Sequence, residues 1–201
     1  MPAIALTGPG IIGFLCDRGY FIDMKSRSVQ ACDCACYLAK NIRRAEGALP
    51  SAQRIHNLLY LATRESTCIF GEGLVPCTFR CTDDGVICEN CSWKGGHTGR
   101  WMPTAAKLTK NVIGVLNSIL AIYGSWNESE LREYVVSEKS WIEAKQNSTE
   151  QAVAALSEET IAEDAQKLSR LKALWSMSHC TYDPGYYEET DMSGCLCFSM
   201  K

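Results

Sequence analysis

Twelve cysteines, at positions 16, 32, 34, 36, 68, 77, 81, 88, 91, 180, 195 and 197, constrain this 201-residue chain more than any other feature. Their number is even, and they fall in clusters. In an oxidising compartment Cys16, Cys32, Cys34, Cys36, Cys68, Cys77, Cys81, Cys88, Cys91, Cys180, Cys195 and Cys197 are all disulfide candidates. Pairing all of them admits on the order of ten thousand connectivities, so the sequence does not name the pairs. Cys32, Cys34 and Cys36 are too close in sequence to bridge one another without strain, which directs each toward another cluster.

The remaining composition is that of a globular chain, with 46% apolar and 21% charged residues. A formal charge of −3 and a pI near 5.7 exclude a strongly basic surface, and with it duplex nucleic acid held by counterion release. The charge is uneven, +2 over residues 1–100 and −5 over 101–201, and the acidic excess reads as solvated helix faces. The best apolar run, Ala3 to Leu15, is broken by Gly8-Pro9-Gly10, so no transmembrane segment is expected. Met1-Pro2-Ala3 lacks the basic opening of a signal peptide, so we expect a mature fragment carrying an added start Met.

Two sequons, Asn127-Glu128-Ser129 and Asn147-Ser148-Thr149, make Asn127 and Asn147 glycosylation candidates. With the cysteines they point to an extracellular or cell-surface chain. If Asn127 carries a glycan, its side chain is not expected to cap a helix in the same way.

The pattern along the chain predicts a mainly α fold, an antiparallel helical bundle or long helical hairpin, in one domain spanning residues 1–201. Glycines and prolines make 1–26 an irregular lead-in. Helices are predicted over 28–46, 51–64, 103–123, 127–145 and 148–176, the last two forming one long rod if continuous. Val153, Leu156, Ile161, Leu168, Leu171 and Trp175 mark the apolar side of the last helix. A cysteine-rich insert occupies 68–101, with short strands expected at Val75–Arg80 and Val86–Cys88, and a cysteine-rich tail occupies 177–201.

Within the insert, Cys77, Cys81, Cys88, Cys91 and His97 carry enough thiolate and imidazole donors for a tetrahedral zinc site. That is the alternative reading, an intracellular zinc-binding interaction module. Only Cys88-Glu89-Asn90-Cys91 has the knuckle spacing, whereas a regular zinc ribbon has two, so disulfides pinning the loop are the favoured reading, with no cofactor. A redox role for this CxxC is disfavoured by Asp83, Asp84 and Glu89 nearby. His56 reads as a packed or surface side chain, and the neighbours His179 and Cys180 point apart in most conformations. No nucleophile elbow, P-loop or dinucleotide fingerprint occurs, so no catalytic residue is assigned, and an unmarked hydrolase is the remaining enzymatic alternative. Most of the five tryptophans are expected in packing; Trp93, on the insert, is the candidate partner contact.

Amphipathic helices at 103–123 and 127–176, a cysteine-pinned insert at 68–101, sequons near helix starts and the element Cys195-Leu196-Cys197 together resemble the architecture of trypanosome variant surface glycoproteins. The resemblance implies a non-enzymatic coat or receptor glycoprotein with a helical scaffold and exposed variable loops. It carries over no site residue. The function expected is therefore binding of a protein partner or host factor, or shielding.

Overall fold

The computed structural model describes residues 29–91, 108–149 and 152–179, together with the backbone of 187–190 and 196–199. Within them lie helices α1 (Ala31–Glu46), α2 (Ala52–Phe70), α3 (Lys110–Tyr123), α4 (Glu128–Val136), α5 (Lys139–Gln146), α6 (Glu158–Gln166) and α7 (Arg170–His179). Two antiparallel hairpins complete them: β1 (Phe79–Thr82) with β2 (Gly85–Cys88), and β3 (Tyr187–Thr190) with β4 (Leu196–Ser199). The chain is mainly helical, as its periodicity predicts. Cys16, Trp93, His97, Trp101, Cys180 and Cys195 lie outside the described residues, as does the side chain of Cys197.

α1 begins with a capping box in which the Asp33 carboxylate accepts from the Gln30 amide at 2.7 Å, and it ends at Gly47, whose φ of 76° is the left-handed conformation glycine adopts without strain. Ala31, Cys34, Ala35, Leu38 and Ile42 are buried at three- and four-residue spacing, toward α2. α2 is capped by the Ser51 side chain and runs to Phe70, six residues beyond its expected end. The extension opens with Glu65, Ser66 and Thr67, three polar residues that give no apolar signal, two of them weak helix formers. Packing holds them helical: buried Glu65 accepts a hydrogen bond from the Ser118 hydroxyl of α3.

α2 is the centre of the molecule. It touches α1, α3, α4, α6, α7 and β2, and every residue from Arg54 to Ser66 is buried. A helix enclosed on all sides is ordinarily apolar all round. This one is not, so its polar side chains need internal partners. Arg54 grips both carboxylate oxygens of Glu46 at 2.7 and 2.6 Å and donates to the Gly124 carbonyl. Tyr60 shares a 2.8 Å hydrogen bond with Ser140. Arg64, 1% exposed, pairs with the Glu138 carboxylate and donates to the hydroxyls of Tyr134 and Tyr123 at 3.3 and 3.1 Å. Tyr123, Trp126 and Tyr134 pack edge-on and tilted over this pair, and the guanidinium carbon sits 5.2 Å from the Tyr134 ring centre.

That ion pair accounts for a correction. The predicted helix 127–145 is broken at Ser137 and Glu138 into α4 and α5. Glu138 is the residue before α5, and its side chain turns inward to Arg64, leaving no side-chain cap from its own position. The cap comes from α6 instead: the Asp164 carboxylate accepts from the Lys139 and Ser140 amides at 3.0 and 2.8 Å.

The predicted helix 148–176 is corrected more strongly. Residues 153–156 lie along the outer edge of β1: the Leu156 amide donates to Phe79 at 2.8 Å and the Cys81 amide to Ala154 at 3.3 Å. Strand pairing overrides the helix propensity of this alanine-rich stretch, because it satisfies an otherwise open edge. The remainder divides into α6 and α7, so 127–176 is four short helices rather than a long rod. On α7 the expected apolar side faces outward, with Leu171 80% and Trp175 62% exposed, and only Ala173 is buried. α3 also starts later than predicted: Leu108 and Thr109 are not helical, and the Thr109 hydroxyl caps the helix by accepting from Val112.

The strands near 75–80 and 86–88 occur as β1, which starts four residues later and ends two later than expected, and β2, which starts one residue earlier, with Phe79 opposite Cys88 and Thr82 opposite Gly85. Phe79, Cys81, Val86 and Cys88 face inward, while Arg80 and Ile87 face out. Asn57 fastens this hairpin to α2, accepting from the Val86 amide at 3.0 Å and donating to the Asp84 carbonyl at 3.3 Å. From the other side Trp141 donates to the Thr82 and Gly85 carbonyls. Gly85, at φ 122°, admits no side chain, since a Cβ there would stand 2.3 Å from the Asn57 side-chain oxygen.

Removing one partner of the buried ion pair exposes the cost of the other. Glu138→Ala is expected to lower unfolding free energy in urea by about 3–5 kcal/mol, and the paired exchange Arg64→Met with Glu138→Leu by clearly less. Acid dependence supplies an independent check. Burial pushes the Asp164 carboxyl up, but hydrogen bonds from Lys167, Ser140 and Lys139 outweigh it and hold it below 3.8. The folded value is depressed, so its contribution is present above the unfolded value and lost as pH falls through the folded one. Glu65, raised by burial against the Ser118 hydrogen bond, titrates in the opposite sense. Asp164→Asn should therefore cost about 1–3 kcal/mol at neutral pH and flatten the acid limb of the stability curve relative to the parent.

Candidate functional site

The cysteines that sequence alone scatters over the chain converge where α1 meets the β1–β2 hairpin. α1 contributes Cys32, Cys34 and Cys36; the loop after α2 contributes Cys77; β2 and the following turn contribute Cys88 and Cys91. The Cys32 thiol donates to the Asn90 carbonyl at 3.6 Å. Cys34, fully buried, lies within electrostatic reach of Cys91, Cys36 and Cys88, and Cys36 within reach of Cys32 and Cys91. Cys77 and Cys88 are side-chain hydrogen-bond partners. All eight described cysteines are thiols in this structure.

The hairpin explains the contact. Phe79 stands opposite Cys88, so Cys77, two residues before Phe79, is the diagonal neighbour of Cys88 on the same face. The turn amides hold that face closed: Glu89 donates to the Thr78 carbonyl at 2.9 Å, and Thr78 to the Asn90 side chain at 2.8 Å. α2 forms the floor, with the Thr63 hydroxyl 3.8 Å from the Cys77 sulfur and the His56 Nδ1 accepting from the Cys88 amide at 3.3 Å.

The environments of these thiols differ. Burial, reinforced by the Asp33 carboxylate, pushes Cys34 up to about 12, and the same two causes push Cys36 up to about 12. The hydrogen bond from Cys88 holds Cys77 below its ordinary value despite burial, with help from Thr63. Cys88 is correspondingly raised, first by that shared hydrogen bond and then by burial.

Cys81 and Cys68 stand apart from this cluster. Cys81 faces the Ser148 hydroxyl at 3.2 Å, and Cys68 donates to the Leu168 carbonyl at 3.8 Å. Cys81 therefore does not join Cys77, Cys88 and Cys91, the other described members of the alternative zinc set. Among the described residues no group of three or more His, Cys, Asp or Glu side chains is placed to hold a metal ion.

Both sequon asparagines are exposed, Asn127 immediately before α4 and Asn147 immediately after α5. Asn127 caps α4 through its Oδ1, which accepts from the Glu130 amide at 3.0 Å, while the Glu130 carboxylate accepts from the Asn127 amide at 2.8 Å. An N-linked sugar joins the other side-chain atom, Nδ2. Cap and glycan are therefore compatible, contrary to the expectation from sequence.

His179 stacks on Trp175 with ring centres 4.0 Å apart, at the exposed end of α7. Sequence reasoning did not single out Thr63 or His56 as the floor of the thiol cluster. The usable signal was Asp83-Asp84-Gly85 between two short strands, which fixes the hairpin register and with it the Cys77–Cys88 diagonal. No helix among the described residues is long and apolar enough to cross a membrane. No protein family matches the chain, and no curated protein or solved structure matches it significantly.

Three substitutions separate cap from sequon. In unglycosylated protein, Asn127→Ala should lose about 1 kcal/mol of stability, whereas Asn127→Asp should keep it, since aspartate caps equally well. Ser129→Ala also deletes the sequon and should leave the cap intact. Chemical denaturation of the three variants measures the difference.

Proposed function

We propose that this chain is a disulfide-bonded, mainly helical glycoprotein, secreted or displayed at the cell surface, that works by binding a protein partner or by shielding what lies beneath it. The observation that carries the reading is the gathering of Cys32, Cys34, Cys36, Cys77, Cys88 and Cys91 at one junction between α1 and the hairpin. Paired, they would fasten a turn-rich region to the helical body, each bridge restricting the unfolded chain by about 2–4 kcal/mol. Two exposed sequon asparagines flanking α4 and α5 support the same compartment.

In this reading the helices are the scaffold, and the 68–101 insert and 177–201 tail are the recognition surfaces. The resemblance to trypanosome variant surface glycoproteins belongs to this reading, as a coat or receptor role without catalysis. Intact mass of protein from its native source, before and after reduction with alkylation and before and after N-glycan removal, tests it. Several bridges and at least one sugar chain are expected. A mass accounting for twelve free thiols and no sugar would overturn the proposal.

A further inference from the structure

We infer that Cys77 and Cys88 are disulfide partners, and that oxidising equivalents enter the α1–hairpin thiol cluster through the Cys77 sulfur. This rests on the reading above, that the chain matures where thiols are oxidised, and it selects one pair from the connectivities the sequence leaves open.

The geometry favours this pair over its rivals. Cys77, two residues before β1, lies diagonally across from Cys88 where the Glu89 amide donates to Thr78 and continues the hairpin register, and the two side chains hydrogen-bond. Cys88 is 1% exposed, whereas Cys77 is half-buried. Cys91, the other half of the CxxC, is tied to Cys88 by a backbone turn, its amide donating to the Cys88 carbonyl at 3.2 Å, but neighbours Cys34 and Cys36 on α1. Cys34 is sealed within the core and Cys81 faces Ser148, so neither competes for the first encounter.

The chemistry balances with a disulfide-containing oxidant, a low-molecular-weight or protein disulfide. The Cys77 thiolate attacks one sulfur of that disulfide, forming a mixed disulfide and expelling one thiolate of the reagent. The Cys88 thiol then loses its proton and attacks the Cys77 sulfur, forming the Cys77–Cys88 bond and releasing the second thiolate. Two protein thiols are oxidised and one reagent disulfide is reduced to two thiols. Thr63 and the Cys88 S–H stabilise the attacking thiolate before the first step.

The test uses the full chain, reduced and folded, mixed with glutathione and glutathione disulfide at neutral pH, then acid-quenched, alkylated and mapped without reduction. The first internal bridge is expected to join Cys77 to Cys88, and Cys88→Ser should accumulate glutathione on Cys77. Reduced protein treated briefly with iodoacetamide should be labelled at Cys77 about tenfold faster than at Cys88 or Cys34. A map joining Cys77 or Cys88 to any other cysteine, or glutathione appearing first on Cys88, would overturn the inference. The wild-type time course decides this even if the serine variant fails to fold. Bridges elsewhere with this pair left alkylated would defeat the pairing and leave the glycoprotein reading standing. Native-source protein lacking both bridges and sugar would defeat the glycoprotein reading, whichever thiols react in glutathione.

Discussion

The fold depends on one charge placed where charge is costly. Arg64 sits on the helix against which α1, α3, α4, α6, α7 and β2 pack, and a guanidinium removed from water must find matched partners. Glu138 neutralises it, and the hydroxyls of Tyr134 and Tyr123 accept from its two terminal nitrogens. The attraction of Glu138 and of the tyrosine oxygens outweighs burial and keeps the arginine charged. From this requirement follow the inward turn of Glu138, the break between α4 and α5, and the cap from Asp164. A pairing of this kind adds little net stability over an apolar substitute, but it draws its partners from α3, α4 and the turn before α5 and so ties all three to the central helix.

The same enclosed helix organises the sulfur chemistry. Asn57 and His56 present side-chain acceptors to the amides of Val86 and Cys88, so α2 sets the height at which the hairpin docks. Thr63, two turns along, then meets Cys77. α1 reaches the cluster by a different route, with Cys34 on its buried stripe and Cys32 and Cys36 toward the edge. Polar matching on α2 and apolar packing on α1 together place six thiols at one junction, although they come from three separated stretches of chain.

How far this was legible in the sequence varied with the locality of the cause. α1, with Gly47 at its end, was readable because its buried stripe and its cap lie within a single segment. The hairpin was readable from turn residues between β-prone runs. The long rod was not there because two of its three interruptions are imposed from outside: Arg64 recruits Glu138 from 74 residues away, and the β1 edge recruits 153–156. Periodicity cannot register a distant partner. The cysteine cluster was half legible, since steric exclusion sent Cys32, Cys34 and Cys36 to other clusters, but the particular neighbours depended on hairpin register. Asn127 was recognised both as cap and as sequon, while the division of labour between its two side-chain atoms needed coordinates.

The outward turn of α7 has a consequence for how the molecule breathes. Its hold on the body is one buried alanine and the Met177 side chain, which fills the notch left by Gly114 on α3. A helix with so little apolar area enclosed sits at the low end of the local opening free energies within a domain. Neither the Arg64 pair nor the thiol junction draws a side chain from it, so local opening there would cost neither.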